Sequence, residues 1–420
     1  MQLRGLKPLT RIFSGRRLGL LGLLVGSVAL AGAACGGDDN DALKIAYLAD
    51  FSGPLAEFGP AIQTGVDLAI EHINAGGGVF GKDVVLVTGD TGLDAVKGVE
   101  EASRLVEIAG AHVMVGPLSS SVTIAVAEGV TSKAKVPTIS PSATAPGISV
   151  ANDDGYLFRS TTSDAAQGPV LAQLAADEGY TNVGVLFIND PYGQGLSGAF
   201  ENAFQGTLTS SSYEAGQTTY LAELQAAAGG GATVLVAIGF PTEALVYIRE
   251  ALENDIFDKF LFVDGTKSPD LIEGIGAEFL NGFKGTAPTG GPDTASAIAW
   301  LAAYEARFGA PPSTPFVKEA YDATIALALA AELAGSTDGE KIRDSLPKVG
   351  GPSGETFIAG AAGVAAALEA VRDGKSINYE GAATSLDWDA AGDVLTGFIG
   401  LWQFADGAIV ELSEVPFDLR

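Results

Sequence analysis

The chain of 420 residues is poor in cysteine, histidine and positive charge, and each shortage excludes a class of protein. One cysteine cannot form an intramolecular disulfide, and two histidines leave little for a histidine-based metal site, so no metal is expected. Only 24 Lys and Arg stand against 51 Asp and Glu, and the net charge of -27 disfavours nucleic-acid binding because it repels phosphate backbones. With 47% hydrophobic residues, the chain can still build sizeable cores.

The N-terminus has the features of a secretory segment. Residues 4–17 hold five positive charges and no acid, residues 18–30 form an apolar run too short for a membrane span, and small residues precede Cys35. A cysteine at this place resembles a bacterial lipobox, which implies that residues 1–34 are removed and that Cys35 is lipidated. A soluble secreted protein with a spare cysteine is the alternative.

The residues after the cleavage point suit a protein outside the cell. Residues 35–41 are small and acidic and are predicted to form a tether. Removing residues 1–34 leaves 19 Lys and Arg against 51 acids, a net charge of about -32 that favours a solvated surface. We therefore expect an extracytoplasmic protein that is anchored by lipid to the bacterial cell membrane.

From residue 42 the sequence alternates short apolar strands with amphipathic helices, which is typical of an α/β fold with a parallel sheet covered on both faces. The alternation restarts near residue 182, and helices predominate after about residue 290, so two α/β lobes are predicted. The predicted strands are 43–49, 83–87, 112–115, 136–140, 182–188, 208–213, 233–238, 260–263, 395–403 and 409–412. The predicted helices are 60–75, 94–108, 120–132, 192–204, 220–228, 242–253, 295–308, 316–334, 339–346 and 361–373.

Several stretches imitate catalytic motifs but lack the context that the chemistry needs. Residues 76–81 match the dinucleotide pattern by letter, yet they follow a helix and precede a strand, the reverse of the order that puts phosphate at a helix N-terminus. Residues 193–198 have the right order but stand in mid-chain in a protein addressed outside the cell. His72 and His112 lack a neighbouring nucleophile or carboxylate in a known pattern and are predicted to be structural. We therefore predict no catalytic residues, no enzyme and no cofactor.

Hydroxyl groups collect after two predicted strands, at the edge where open α/β sheets bind ligands. Ser120 begins a helix, and Ser142 and Thr144 follow the strand at 136–140. Helix N-termini expose unpaired N–H groups, and hydroxyls add further donors, so this arrangement favours the binding of a carboxylate. Ordinary helix capping explains the same residues equally well.

Acidic and aromatic residues occupy matching places in the second half. Asp264 follows a strand and Asp164 opens a helix, and a carboxylate there could accept hydrogen bonds from an ammonium group. Phe58, Tyr192 and Phe240 stand near the same strand ends. Together with the hydroxyls, this set complements a zwitterionic amino acid with a hydrophobic side chain, because either charge buried without a partner would cost several kcal/mol.

At these residues the chain resembles the type I periplasmic binding proteins of branched-chain amino acid ABC transporters. The matching stretches are residues 48–59, 73–82, 116–121, 139–146, 158–168, 189–195, 379–382 and 387–393. The resemblance implies two Rossmann-like lobes with parallel-rich sheets, joined by three crossovers, that close over a ligand and deliver it to a permease. It places lobe 1 at residues 42–163 and 288–398, and lobe 2 at residues 164–287 and 399–420.

The resemblance also assigns roles to single residues. The ligand-binding residues that it implies are Phe58, Ser120, Ser142, Thr144, Asp164, Tyr192, Phe240 and Asp264. Ser120 and Thr144 would hold the α-carboxylate, while the Ser142 backbone carbonyl and Asp264 would hold the ammonium. The acid at the first crossover would line the cleft, and the three aromatic residues would pack against the ligand's side chain.

Two departures from the family pattern leave the ligand's size and polarity open. Phe240 stands where relatives often have Tyr, and Asp264 is shorter than the Glu of some relatives. We expect a monomeric binding protein for a small amino acid, branched-chain foremost, that serves an ABC permease. The same fold holding an amide, urea or an aromatic acid is one alternative, and a ligand-sensing subunit is another.

Overall fold

A computed structural model of the protein describes residues 41–291 and 293–418. The predicted secretory segment at 1–34, the predicted lipidation site Cys35 and the tether as far as residue 40 lie outside the described residues. None of the helices in the described part of the chain combines the length and apolar character that crossing a membrane requires.

The strands form two main sheets and one small pair. The first sheet consists of β1 Lys44–Ala49, β2 Val85–Asp90, β3 Val113–Val115, β4 Thr138–Ser140 and β5 Leu157–Arg159. The second contains β6 Asn182–Ile188, β7 Thr207–Tyr213, β8 Leu235–Ile238, β9 Phe260–Phe262 and β10 Lys284–Thr289. After the separate parallel pair β11 Glu355–Ile358 and β12 Ile377–Glu380, the strands β13 Thr396–Ala405 and β14 Ala408–Asp418 complete the second sheet.

Both main sheets are rich in parallel pairs. The first runs β2-β1-β3-β4-β5 and is parallel throughout. The second runs β14-β13-β10-β9-β8-β6-β7, and only β13 pairs antiparallel with its two neighbours. Each sheet, together with the helices packed on it, is called the first-sheet side or the second-sheet side below.

Helices cover both sheets. The helices of the first half are α1 Phe58–Ala75, α2 Ala95–Ser103, α3 Ser120–Val126, α4 Ser132–Ala134, α5 Asp164–Asp177, α6 Pro191–Ala203 and α7 Leu221–Ala227. The later helices are α8 Pro241–Glu253, α9 Pro269–Ile275, α10 Ala277–Leu280, α11 Ala295–Phe308, α12 Val317–Ala334, α13 Gly339–Arg343 and α14 Ala361–Arg372. A π-helical turn extends α2, and another joins α3 to α4.

The chain passes between the two sides three times: after β5, after β10 and before β13. Between the second and third passages, α12 packs on α1 and against β3 and β4. Gly65 of α1 permits this close packing, because a Cβ there would lie 2.1 Å from the backbone oxygen of Val317. The predicted α/β fold with parallel-rich sheets and three crossovers is confirmed, while the bounds of the two lobes stay a prediction.

Some predicted elements are wrong in extent. β2 lies at 85–90 rather than 83–87, and β14 extends to 408–418 rather than 409–412. β10 was not predicted, because its sequence lacks an apolar alternation and it becomes a strand by pairing with β9 and β13. The helix predicted at 339–346 ends at Arg343, because Pro347 has no N–H to donate to the Arg343 carbonyl, and a 3-10 turn follows at Leu346–Lys348.

Candidate ligand-binding site

A cavity lies between the two sides, where the strands of both sheets end. The residues that border it are Leu55, Phe58, Leu118, Ser119, Ser120, Ser142, Tyr192, Phe240, Asp264, Gly265 and Phe316. Six of the eight residues predicted from the sequence are therefore brought together, namely Phe58, Ser120, Ser142, Tyr192, Phe240 and Asp264. The short turns after the strands carry them there, as expected for the carboxyl ends of parallel strands.

The other two predicted residues, Thr144 and Asp164, do not border the cavity. Both are fully buried, and the Asp164 backbone N–H donates to the Thr144 carbonyl at 2.9 Å. Burial, and then the nearby Asp264 carboxylate, raise the pKa of Asp164 well above its usual value. Asp164 is thus an electrostatic neighbour of the cavity, and contact with a ligand remains a prediction for both residues.

Asp264 is a buried carboxylate held by two donors. It lies in the 3-10 turn after β9 and is 3% exposed. Its Oδ1 accepts hydrogen bonds from Gln167 Nε2 at 2.8 Å and from Tyr192 Oη at 3.0 Å. Burial raises the pKa of Asp264 to about 6, and the two hydrogen bonds act in the opposite direction because they stabilise the ionised form.

Gln167 is a site residue that the sequence analysis missed. Its Nε2 also lies 3.2 Å from the backbone oxygen and from Oγ1 of Thr286, so the amide joins α5, β10 and the turn that carries Asp264. The available signal was its position three residues after Asp164, which places both on one face of α5. Gln167 orients the carboxylate rather than bordering the cavity.

The first-sheet side presents hydroxyl groups. The Ser120 hydroxyl oxygen accepts from the Ala145 N–H at 3.2 Å, and the Ser142 hydroxyl donates to the Leu118 carbonyl at 2.9 Å. Ser119 Oγ is buried and has no hydrogen-bond partner among the described residues. The sequence predicts a contact from Ser120 or a neighbouring serine of the run, and both Ser119 and Ser120 border the cavity.

A buried arginine, also missed, fixes the loop behind these serines. Arg159 is fully buried, and its Nη1 donates to the carbonyls of Thr144 and Ala145 at 3.0 and 3.1 Å. Its Nε donates to Asp393 Oδ1 at 2.7 Å, which ties the loop to the segment leading into β13. The signal for this role was a single charge at the end of the short, otherwise apolar strand β5.

Aromatic rings form the apolar wall. Tyr192 and Phe240 are stacked with their ring centroids 5.5 Å apart and an angle of 18° between the planes. Phe58, at the start of α1, contributes from the first-sheet side and is 3% exposed. Phe316, the N-cap of α12, was not predicted, because nothing in its local sequence marks it as a cavity residue.

Direct hydrogen bonds also join the two sides. Thr242 Oγ1 donates to the Pro54 carbonyl at 3.2 Å, and Ser268 Oγ donates to Glu57 Oε2 at 2.5 Å. The cavity volume is only about 20 Å³, little more than one water needs. This volume is smaller than an amino acid, so the cavity must widen before a ligand of that size can occupy it.

The two histidines are structural, as predicted. His72 Nδ1 shares a hydrogen bond of 2.8 Å with Tyr321 Oη, and His112 Nδ1 accepts from the Lys44 N–H at 3.1 Å. Within residues 41–291 and 293–418, no three His, Cys, Asp or Glu side chains are grouped as metal ligands would be.

Comparisons with known proteins bear on this fold. A sequence profile of periplasmic binding proteins matches residues 42–362. The chain is 28% identical over 376 residues to the chemotactic signal transduction system substrate-binding protein BasB of Halobacterium salinarum. The aligned region covers 87% of this chain and 88% of the relative. It is 29% identical over 334 residues to the leucine-, isoleucine-, valine-, threonine- and alanine-binding protein of Pseudomonas aeruginosa, with 78% and 87% covered.

A solved structure has the same architecture. The branched-chain amino acid transporter substrate-binding protein LivJ of Streptococcus pneumoniae, in complex with isoleucine, superposes with a TM-score of 0.72 at 25% identity. The match covers 90% of this chain and 100% of that one. The family profile spans most of the chain, and the fold agrees over the same region. The chain therefore belongs to the periplasmic binding protein family, with the type I fold.

Proposed function

We propose that the protein captures a small α-amino acid with an apolar side chain, a branched-chain one foremost, and delivers it to an ABC permease. One observation carries this proposal: a buried carboxylate, Asp264, and the hydroxyls of Ser119 and Ser120 border one cavity whose wall is aromatic. The carboxylate suits an ammonium, the hydroxyls suit a carboxylate, and the rings suit an aliphatic side chain. Burying a Leu or Val side chain contributes about 1.5–3 kcal/mol.

The relatives support this class of ligand. The P. aeruginosa protein is named for leucine, isoleucine, valine, threonine and alanine, and the S. pneumoniae structure contains isoleucine. Each of these is a zwitterion with a small or medium side chain. In the proposed arrangement the α-carboxylate accepts hydrogen bonds from Ser119, Ser120 and Thr144. The ammonium donates hydrogen bonds to Asp264 and to the Ser142 carbonyl.

Closure of the two sides is the proposed binding step. The contacts of Thr242 with Pro54 and of Ser268 with Glu57 join the sides in the closed arrangement. A ligand that is contacted by both sides binds this arrangement better than an open one, so it shifts the equilibrium towards closure. The ligand is released chemically unaltered.

Calorimetric titration of the purified full chain tests the ligand class. Leucine, isoleucine and valine are compared with acetamide, urea and benzoate, which represent the rival ligands. Saturable binding of a branched-chain amino acid supports the proposal. If the protein binds an amide, urea or benzoate and no amino acid, the proposed ligand class is wrong and the bound compound indicates the correct one.

The proposed location is the outer face of the cell membrane, with Cys35 as the lipidated residue. The periplasmic description of the family supports an extracytoplasmic place, and the anchor rests on the sequence around Cys35. Cys35→Ser is expected to move the protein from the membrane fraction to the soluble extracytoplasmic fraction. A variant that stays in the membrane fraction would contradict lipidation at this residue.

A sensing role is the second candidate, because the H. salinarum relative is named a chemotactic signal transduction system protein. Cells that lack the protein distinguish the two roles. Loss of leucine uptake with normal taxis supports transport, and loss of taxis towards leucine with normal uptake supports sensing.

A further inference from the structure

One loop supports two of the three passages between the sides. It consists of residues 381–385, between β12 and β13, and is called the hinge loop here. A Cβ at Gly290, in the second passage, would collide with the Ala382 carbonyl oxygen, so this passage lies directly on the hinge loop. At the third passage, the hydroxyls of Ser385 and Thr396 share a hydrogen bond of 2.8 Å. The hinge loop therefore fixes where both passages meet the first-sheet side.

A buried carboxylate holds the hinge loop. Asp322 of α12 is fully buried, and its two oxygens accept hydrogen bonds from the N–H groups of Ala382 at 2.8 Å and Ala383 at 2.7 Å. Gly381 permits this approach, because a Cβ there would lie 2.5 Å from Asp322 Oδ2. Since α12 packs on α1 and against β3 and β4, these hydrogen bonds attach the hinge loop to the first-sheet side.

The same helix also holds the first passage. Ser160, which follows β5, donates from its hydroxyl to the Glu319 carbonyl at 2.8 Å. A Cβ at Gly397 of β13 would lie 2.6 Å from Thr162 Cγ2, so the first and third passages are packed together. Contacts with α12 thus reach all three passages, either directly or through the hinge loop.

The burial of Asp322 has a cost that the hinge loop offsets. A carboxylate loses its hydration in the interior, and burial raises the pKa of Asp322 to about 7. The N–H groups of Ala383, Ala382 and Thr384 act in the opposite direction, because they stabilise the ionised form. Carboxylate and hinge loop therefore stabilise each other, and removing the carboxylate would release the backbone of the loop.

We propose that Asp322 is a positioning residue for closure: it anchors the hinge loop to α12 and thereby sets the pivot about which the second-sheet side moves. The inference rests on the proposed function, in which closure binds the ligand. Asp322 is not among the residues that border the ligand cavity, so it acts on affinity through the hinge. A loosened pivot changes the closure equilibrium and not the ligand's contacts, so it should weaken the binding of every amino acid by the same factor.

Two variants test the anchor in the purified full chain. Asp322→Ala removes both acceptors, and Asp322→Asn, which keeps one acceptor and the shape, replaces it if the alanine variant fails to fold. Hydrogen exchange measures the protection of the Ala382 and Ala383 amides, and calorimetry measures the dissociation constants of leucine, isoleucine and valine. We expect both amides to exchange at least about tenfold faster in Asp322→Ala, and all three constants to rise about fivefold or more with unchanged ratios.

A carboxylate farther along the same helix supplies the control. Glu332 of α12 accepts hydrogen bonds from the Phe80 N–H at 2.6 Å and from Arg372 Nε at 2.9 Å, and neither donor belongs to a passage or to the hinge loop. Glu332→Gln should lower the free energy of unfolding as a purely structural change does. The exchange of the Ala382 and Ala383 amides and the three dissociation constants should stay as in the wild type.

The two measurements separate the possible failures. Wild-type exchange at Ala382 and Ala383 in a folded Asp322 variant contradicts the anchor. Faster exchange with unchanged dissociation constants, altered ratios among the three amino acids, or an equal loss of affinity in Glu332→Gln contradicts the role in closure. If the wild type binds none of the three amino acids, the proposed function fails, and the exchange measurement still decides whether Asp322 anchors the hinge loop.

Discussion

Replacing Asp264 by Asn changes the charge of the cavity while keeping its shape. The carboxamide oxygen can still accept the hydrogen bonds that Gln167 and Tyr192 donate, so we expect the fold to survive. The amide has no negative charge for the ligand's ammonium, which becomes a buried charge without a partner. Such a loss costs about 2–5 kcal/mol, so leucine affinity should fall by about 30-fold to about 5,000-fold.

The same substitution should alter the pH dependence of unfolding. Burial raises the pKa of Asp264 from 3.8 to about 6, so between these values the folded protein holds a proton that the unfolded chain has released. The free energy of unfolding of the ligand-free protein therefore falls as the pH rises through this window, by about 3 kcal/mol. Asp264→Asn does not titrate and lacks this decline. Its stability relative to the wild type should rise between pH 4 and pH 6.

Leucine binding should depend on pH in the opposite sense. Protonation of Asp264 removes the charge that the ammonium needs, so wild-type affinity should fall as the pH drops through about 6. Calorimetry with leucine measures the affinity, and unfolding in urea measures the stability, both between pH 4 and pH 8. Asp258→Asn, an exposed change just before β9, is the matched control and should alter neither. Wild-type leucine affinity in Asp264→Asn at pH 8 would refute the placement of the ammonium.

Three further substitutions test how the site is held. Gln167→Leu removes a donor to the cavity carboxylate and should raise its pKa, so the midpoint of affinity loss should move up by about one pH unit; an unmoved midpoint in calorimetry contradicts this. A Cβ at Gly195 would lie 2.6 Å from Pro146 Cδ, so Gly195→Val should hinder closure and weaken leucine binding about tenfold or more. Gly198→Val on the same helix, with open space around its Cβ, is the control, and equal losses would count against the argument. Arg159→Met removes the ion pair with the partly buried Asp393 and the donor to the buried carbonyls of Thr144 and Ala145, so it should lower the urea-measured free energy of unfolding by about 3–5 kcal/mol. A loss under about 1 kcal/mol would show that these contacts are dispensable.

The fold could be predicted from the sequence wherever a periodic apolar pattern was strong. The strand predicted at 182–188 and the helix predicted at 295–308 have the same bounds as β6 and α11. β10 could not be found this way, because its Lys, Gly, Thr and Pro residues carry no strand pattern of their own. Its neighbours in the sheet impose the extended conformation, so strand pairing determines the secondary structure of a segment whose own propensity is weak.

The site was predictable as far as chain topology determines it. Asp264 and Ser120 follow strands, and the ends of parallel strands meet at one edge of a sheet, so their convergence needed no knowledge of packing. Gln167 and Arg159 act through atoms that are distant in sequence, on Asp264 and Asp393 respectively. Such partners depend on how helices and loops lie across the crossovers, which a one-dimensional pattern does not contain.

In the proposed function, the division of the site between the two sides couples ligand binding to closure. The hydroxyls of Ser119 and Ser120 belong to the first-sheet side, and Asp264 belongs to the second. A zwitterion held by one side keeps its other charge in water, and full burial there would cost several kcal/mol. Burial would become favourable only when the matching group of the opposite side contacts the ligand, so we expect the ligand to bind the closed form more tightly than an open one. A permease that recognises the closed form would thereby distinguish a loaded protein from an empty one without touching the ligand.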